Sequence, residues 1–320
     1  MTVSGRKTHR GKLSLGYDQR KPHAVAVGPH ASSPSNMPIQ IHGDPVMPVR
    51  MLRPLFRSLS LCALAAVLAA SATSAFAGHA TLIADATTGQ VLESENADVQ
   101  NYPASLTKMM TLYLTFEALH KGVLHWDDKI VLSENAERKE PFKFALGAGK
   151  MITVNEAVLG MIVLSANDAA VAVAEKLGGS EAAFGEIMTA KARALGMNNT
   201  VFRNPAGLPD PQQMTTAADM AKLAVALMRD YPEDYKLFST RTFKFRGMKF
   251  HGHNRVMTRY PGADGIKTGY TEASGYNLVS SASRNGKRVV GVVLGGKTSQ
   301  ARDEEMTALL DKYLGPLPKK

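Results

Sequence analysis

Ser105 and Lys108 stand three residues apart in Ser105-Leu106-Thr107-Lys108, which puts a hydroxyl and an amine on one face of a helix. A serine hydroxyl is a weak nucleophile until a neighbouring base takes its proton. Lysine serves as that base when burial or a nearby cation lowers its pKa. Two further short patterns lie downstream, Ser165-Ala166-Asn167 and Lys267-Thr268-Gly269. Singly, all three are weak. Ser4-Gly5-Arg6-Lys7 repeats the first spacing by chance, and Ser94–Asn96, Ser133–Asn135 and Ser283–Asn285 repeat the second. The third occurs once, in a predicted strand over 265–271, where Lys267 and Gly269 share a face and Thr268 takes the other. A glycine in that place is expected to let a ligand approach the strand backbone.

The elements around these residues follow from local pattern. Residues 79–85 and 90–94 read as a hairpin around Thr87-Thr88-Gly89. A helix is predicted from Leu106 to Lys121, closed by Gly122. Thr153 with Glu156 forms a capping box ahead of 157–164. Asp168 is expected to cap 169–177, and Ser180 to cap 181–195, each helix being ended by glycine. Thr216 with Asp219 opens a helix that runs to Asp230. Residues 241–246, 265–271, 276–283 and 287–295 read as strands, and 301–314 as a closing helix. Strands at both ends with helices between them predict an α/β (α+β) architecture, one mixed sheet with a helical subdomain.

Composition narrows the class. The chain has 320 residues, 44% hydrophobic and 21% charged, which excludes a mostly disordered chain, a collagen-like repeat and a disulfide-stapled miniprotein. Cys62 is the single cysteine, so no internal disulfide forms. The net charge of +10 is concentrated in residues 1–77, which carry nine Lys/Arg against two Asp/Glu. The body is only mildly basic, and no nucleic-acid partner is expected. Residues 51–77 have a basic start, a short apolar run and Ala75-Phe76-Ala77, the pattern of a signal peptide cleaved after Ala77. The apolar run, Leu59 to Ala70, is shorter than the ~20 residues of a spanning helix. Cleavage removes Cys62, which suits an oxidising compartment. Residues 1–50 are basic, rich in Pro, Ser and Gly and expected to be disordered, with Met47 or Met51 as the expected true start. That leaves one catalytic domain, 78–320, in the periplasm or secreted. The nine histidines form no ligand cluster, His251-x-His253 being isolated, so no metal or other cofactor is implied.

The order Ser-x-x-Lys, Ser-x-Asn, Lys-Thr-Gly, with 60 and 102 residues between successive motifs, resembles the signature set of the penicillin-recognising serine acyltransferases. The match extends through Tyr102–Thr111, Leu164–Ala169, Asn204-Pro205-Ala206-Gly207-Leu208, Gly265–Thr271, Gly275–Leu278 and Gly295-Gly296 with Arg302. In these stretches the chain is similar to the low-molecular-weight D-alanyl-D-alanine carboxypeptidases, the S11 serine peptidases. The resemblance implies the penicillin-binding transpeptidase/β-lactamase-like fold. It also implies a peptidoglycan stem peptide as substrate and β-lactams as covalent inhibitors. Under it Ser105 is the nucleophile, Lys108 its base, and Ser165 a proton relay lying between the two lysines. Asn167 binds the acyl side, and Lys267 lowers the pKa of Lys108. The backbone N–H groups of Ser105 and Tyr270 form the oxyanion hole, and Lys267 and Gly269 are among the substrate-binding residues. Thr268, Thr271 and Arg302 hold the terminal carboxylate.

Other readings share these motifs. A DD-endopeptidase cuts crosslinks with the same residues. A class A β-lactamase deacylates with a glutamate between the second and third motifs, and none occurs from 187 to 232. A non-catalytic peptidoglycan-binding module has no need of Ser105, Lys108, Ser165 and Lys267 together. Many relatives add a β-domain and an amphipathic anchor; only 18 residues follow Arg302, so no stable membrane anchor is expected.

Overall fold

The computed structural model describes residues 78–315. The expected signal peptide, the basic segment before it and the last five residues lie outside the described residues. The first hairpin forms where the sequence places it. β1 (Ala80–Asp85) and β2 (Val91–Glu95) are antiparallel, and Asp85 Oδ1 accepts the N–H groups of Thr87 and Thr88 at 2.9 and 2.8 Å. This is an Asx turn, in which the side chain stands in for a backbone acceptor.

The next helix starts later than periodicity predicts. Ala104–Thr107 is a single 3-10 turn, and only then does α1 (Lys108–His120) begin, so Ser105 sits on the tighter turn and Lys108 on the first residue of the helix proper. Two short strands, β3 (Lys129–Val131) and β4 (Met151–Thr153), pair antiparallel. Thr153 then starts α2 (Val154–Leu159) with the predicted capping box: Thr153 Oγ1 accepts from Glu156 N at 3.1 Å, and Glu156 Oε2 accepts from Thr153 N at 2.7 Å. A π-turn over Gly160–Leu164 follows and ends at Ser165, whose φ of 63° is left-handed. The helical subdomain continues with α3 (Asn167–Gly178), α4 (Glu181–Ala194) and α5 (Ala217–Asp230). Ser180 and Thr216 cap as expected, accepting from Ala183 N and Asp219 N. Asp168 does not cap from outside. It lies inside the first turn of α3, and its carboxylate takes up a neighbouring loop instead.

A hairpin of β5 (Thr242–Phe245) and β6 (Met248–His251) and a short helix, α6 (Arg255–Arg259), lead into three long strands. These are β7 (Ala263–Thr271), β8 (Gly275–Arg284) and β9 (Lys287–Gly296). With the first hairpin they build a five-stranded sheet in the order β2-β1-β9-β8-β7, every pairing antiparallel. β7 is therefore an edge, its outer row of N–H and C=O groups unclaimed by a sixth strand. The last helix, α7 (Ser299–Leu314), covers one face; Met306 sits against Gly291, where a Cβ would collide with its sulfur.

The core lies between the other face and the helices. It includes Phe116, Phe184, Phe202 and Phe238, all at most 1% exposed, each contributing about 1.5–3 kcal/mol by leaving water. No helix among the described residues is long and apolar enough to cross a membrane.

Candidate active site

Lys108 reaches its surroundings from the floor of a cleft. Its side chain is fully buried, and Nζ lies 3.1 Å from Ser105 Oγ, 2.7 Å from Asn167 Oδ1 and 2.6 Å from the Ala206 carbonyl oxygen. Burial is the largest cause pushing its pKa well below the ordinary lysine value, and the nearby Lys267 ammonium is second; Asp168 pulls weakly the other way. Burial and a nearby cation, the two causes expected from the sequence, both act here. Desolvation outweighs the cation because the Lys108 ammonium has left water completely, whereas its two carbonyl-type acceptors carry only partial charge.

Lys267 is the second buried lysine, and its pKa is lowered to about 7, by burial first and then by the guanidinium of Arg302. Its Nζ donates to the Thr268 carbonyl oxygen at 2.8 Å. Ser165 Oγ is buried and has no hydrogen-bond partner, so neither lysine donates to it. Its left-handed backbone costs about 1–3 kcal/mol, and Ala104 beside Ser105 is left-handed too, at 48°. Such strain is held in place only where the surroundings over-determine the conformation.

Those surroundings are specific. The loop Asn204–Leu208 packs on the Ser105 turn with Asn204 Oδ1 accepting from Ala206, Gly207 and Leu208 N–H at 3.2, 2.8 and 3.1 Å. Pro205 O accepts from Thr111 Oγ1 at 2.7 Å, and Ala206 O accepts from Lys108. Gly207 has φ +83°, and a Cβ there would overlap the Ala104 carbonyl. From the other side, Asn277 Nδ2 donates to the Tyr102 and Pro103 carbonyls at 3.0 and 3.3 Å, tying the turn to β8. Gly269 serves the same packing. A Cβ there would lie 3.1 Å from both Pro103 O and Ser105 N, so the strand glycine admits the nucleophile's own backbone, and it lines the cleft as well.

Asn167 is clamped in turn. Its Oδ1 accepts from Lys108, and one N–H of Nδ2 donates to Glu140 O at 2.8 Å, leaving a single amide N–H for a ligand. Its backbone N–H donates to Phe142 O at 2.7 Å, and Asp168 Oδ2 accepts from Phe144 N at 2.7 Å. With its carboxylate thus buried, Asp168 has its pKa raised to about 6, desolvation being the largest cause. The 140–145 loop is thereby fixed against the start of α3.

The cleft above has a volume of about 840 Å³. Ser105, Ser165, Asn167, Thr268, Gly269, Tyr270, Thr271 and Arg302 all line it, while Lys108 and Lys267 lie behind its wall. Every residue singled out from the sequence is therefore brought to one place. Thr271 and Ser274 exchange hydrogen bonds at 2.9 and 3.0 Å and shape its end. Phe142 and His253, their ring centroids 5.0 Å apart, also line the cleft. Sequence reasoning missed both, and no local signal marks them; the fold alone brings residue 142 to residue 253.

A serine whose hydroxyl faces a desolvated lysine across 3.1 Å, on a helical subdomain packed against an antiparallel sheet, is the constellation of a serine acyltransferase of the penicillin-binding fold. The sequence pattern of the D-alanyl-D-alanine carboxypeptidases, peptidase family S11, matches residues 66–298. The D-alanyl-D-alanine carboxypeptidase DacA of Haemophilus influenzae is 38% identical over 234 residues, 72% of this chain and 60% of that protein. Penicillin-binding protein 5 of the same organism superposes with a TM-score of 0.70 at 38% identity, covering 74% of this chain and 70% of that one. Penicillin-binding protein D2 of Listeria monocytogenes, in an ampicillin-bound form, gives 0.67 at 31%, covering 72% and 95%. The chain belongs to the D-alanyl-D-alanine carboxypeptidase family. It spans about 60% of the length of the curated relatives it matches first.

Proposed function

We propose that the chain is a serine-type D-Ala-D-Ala carboxypeptidase that removes the terminal D-alanine from peptidoglycan stem pentapeptides. The observation that carries the reading is the fully buried Lys108 amine 3.1 Å from Ser105 Oγ at the base of the cleft. Neutral Lys108 takes the hydroxyl proton as Ser105 Oγ attacks the carbonyl carbon of the penultimate D-alanine. The resulting oxyanion meets the N–H groups of Ser105 and Tyr270. The C–N bond then breaks, and the proton passes through the unpartnered Ser165 hydroxyl to the departing amine of D-alanine. Water hydrolyses the ester, its proton going to Lys108 and then back to Ser105 as the acid leaves. The free Asn167 N–H accommodates the acyl side, and Thr268, Thr271 and Arg302 hold the departing carboxylate.

A β-lactam offers the same amide and carboxylate, so it acylates Ser105. A fluorescent penicillin is expected to label residues 78–320 and leave Ser105→Ala unlabelled, while the wild type releases D-alanine from a pentapeptide. Labelling of Ser105→Ala would sink the reading. Cleavage of a crosslinked dimer without D-alanine release would redirect it to an endopeptidase. The signal-like segment 51–77 supports export and a periplasmic or secreted site of action for the domain 78–320.

The two depressed lysines carry a stability prediction. Lys267 ionises at about 7 folded and near 10.5 unfolded, so between these values the unfolded chain binds the extra proton and stability rises with pH. The penalty is complete below pH 7, with an upper bound of about 5 kcal/mol. The urea midpoint of the wild type is expected to rise from pH 6.5 to 9.5, and that of Lys267→Met to rise less. Parallel slopes for the two proteins would refute this.

A further inference from the structure

The guanidinium of Arg302 is only 4% exposed yet lines the cleft, and three of its five N–H groups are already committed. Nη1 donates to the Asn277 carbonyl oxygen at 3.2 Å. Nε and Nη2 both donate to Oδ1 of Asp303, at 3.0 and 2.6 Å. Neighbouring residues on a helix do not normally face one another, so an ion pair between residues 302 and 303 is unusual. Asp303 also faces outward. Its Oδ2 lies 3.7 Å from Nε of Arg255, whose Nη2 donates to Ser299 Oγ at 2.6 Å. Arg255 and Ser299 line the same cleft. One carboxylate, 15% exposed, is thus shared by two guanidiniums, a buried one on the cleft wall and a half-exposed one at its rim.

We propose that Asp303 is the positioning residue of the carboxylate end of the cleft: it holds Arg302 by its Nε edge, so that one N–H on each Nη remains for the terminal carboxylate of the peptide, and it draws Arg255 towards the same end. The proposal rests on the carboxypeptidase reading above. A buried guanidinium with no counter-ion is strongly disfavoured, and without Asp303 the guanidinium swings to whatever acceptor is nearest. Holding it from one edge also spares the incoming carboxylate the work of ordering a long side chain. Two cations against one resident anion leave a net positive charge that the D-alanine carboxylate neutralises. Asp303 touches no reacting atom, so its effect belongs in binding and not in the chemical step.

The test is steady-state cleavage of a pentapeptide ending in D-Ala-D-Ala, with its C-terminal amide as control, by wild type, Asp303→Ala, Asp303→Asn, Asp303→Glu and Arg302→Ala. Asp303→Ala is expected to raise KM for the acid about tenfold with kcat within about twofold, and to leave the amide unaffected. Asp303→Asn keeps an acceptor and should fall between; Asp303→Glu should recover most of the loss. Equal losses on acid and amide, or a fall in kcat at unchanged KM, would overturn the proposal, as would no change at all. If Asp303→Ala does not fold, judged by thermal melting, Asp303→Asn carries the same comparison. An Arg302→Ala enzyme that prefers acid over amide as strongly as the wild type does would instead overturn the carboxylate role of Arg302, and the proposal with it. Failure of the wild type to release D-alanine from the acid, or D-alaninamide from the amide, would strike the underlying reading.

Discussion

Lys108→Met is expected to lower the rate of Ser105 acylation by about 10²–10⁴-fold, the usual contribution of a positioned base. The methionine side chain matches the lysine stem in length and apolarity, so the site remains filled. Two acceptors, Asn167 Oδ1 and the Ala206 carbonyl, lose their donor, and each costs about 1–3 kcal/mol when left buried and unpaired. Part of that loss is offset, because the wild type itself carries an amine with a depressed pKa in a water-free place. A moderate fall in melting temperature accompanied by near-complete loss of penicillin labelling is therefore the expected outcome. Lys108→Arg should do no better, since a guanidinium stays charged and cannot accept the serine proton. Retention of wild-type labelling by Lys108→Met would exclude Lys108 as the base and point to Lys267.

Gly207→Ala should be the most damaging single methyl group in the described structure. The residue has φ +83°, and its Cβ would fall on the Ala104 carbonyl, one peptide from the nucleophile. Neither side can yield cheaply. Asn204 fixes the Gly207 loop with three hydrogen bonds, and Asn277 fixes the Ser105 turn from the sheet. A loss of about 3 kcal/mol or more is expected, a drop of roughly 6–12 °C in a domain of this size. Penicillin labelling should fall as well, because relief of the clash moves Ser105 away from Lys108. Gly286→Ala is the control: its φ is +78°, but a Cβ there meets nothing within 4 Å, so it should cost far less and leave labelling intact. Equal melting temperatures for the two variants would show that the loop relaxes freely and would remove the argument that it positions the site.

The motifs themselves were legible because their meaning is local. Ser105 and Lys108 meet through helical spacing, and the capping box at Thr153 and the caps at Ser180 and Thr216 are decided within four residues. The long strands β7 to β9 announced themselves by apolar runs between turns, whereas β3, β4 and β6, three or four residues each, were too short to show a period. The π-turn that ends at Ser165 was read as ordinary helix, since an i+5 turn differs from an i+4 turn by no residue type.

Sequence alone, then, singled out the side chains proposed to carry the chemistry and the order in which they occur, and through their resemblance the family. What it could not determine is the state of those side chains. Lys108 owes the placement of its amine to Asn167 and Ala206, 59 and 98 residues away, and its lowered pKa to the complete exclusion of water and to Lys267. Asn277 reaches the Ser105 turn across 174 residues, and Phe142 meets His253 across more than a hundred. Burial, and with it a lysine pKa, belongs to the assembled surroundings and not to any segment. Only the folded chain, by closing those long loops over two lysine side chains, turns three short patterns into a site.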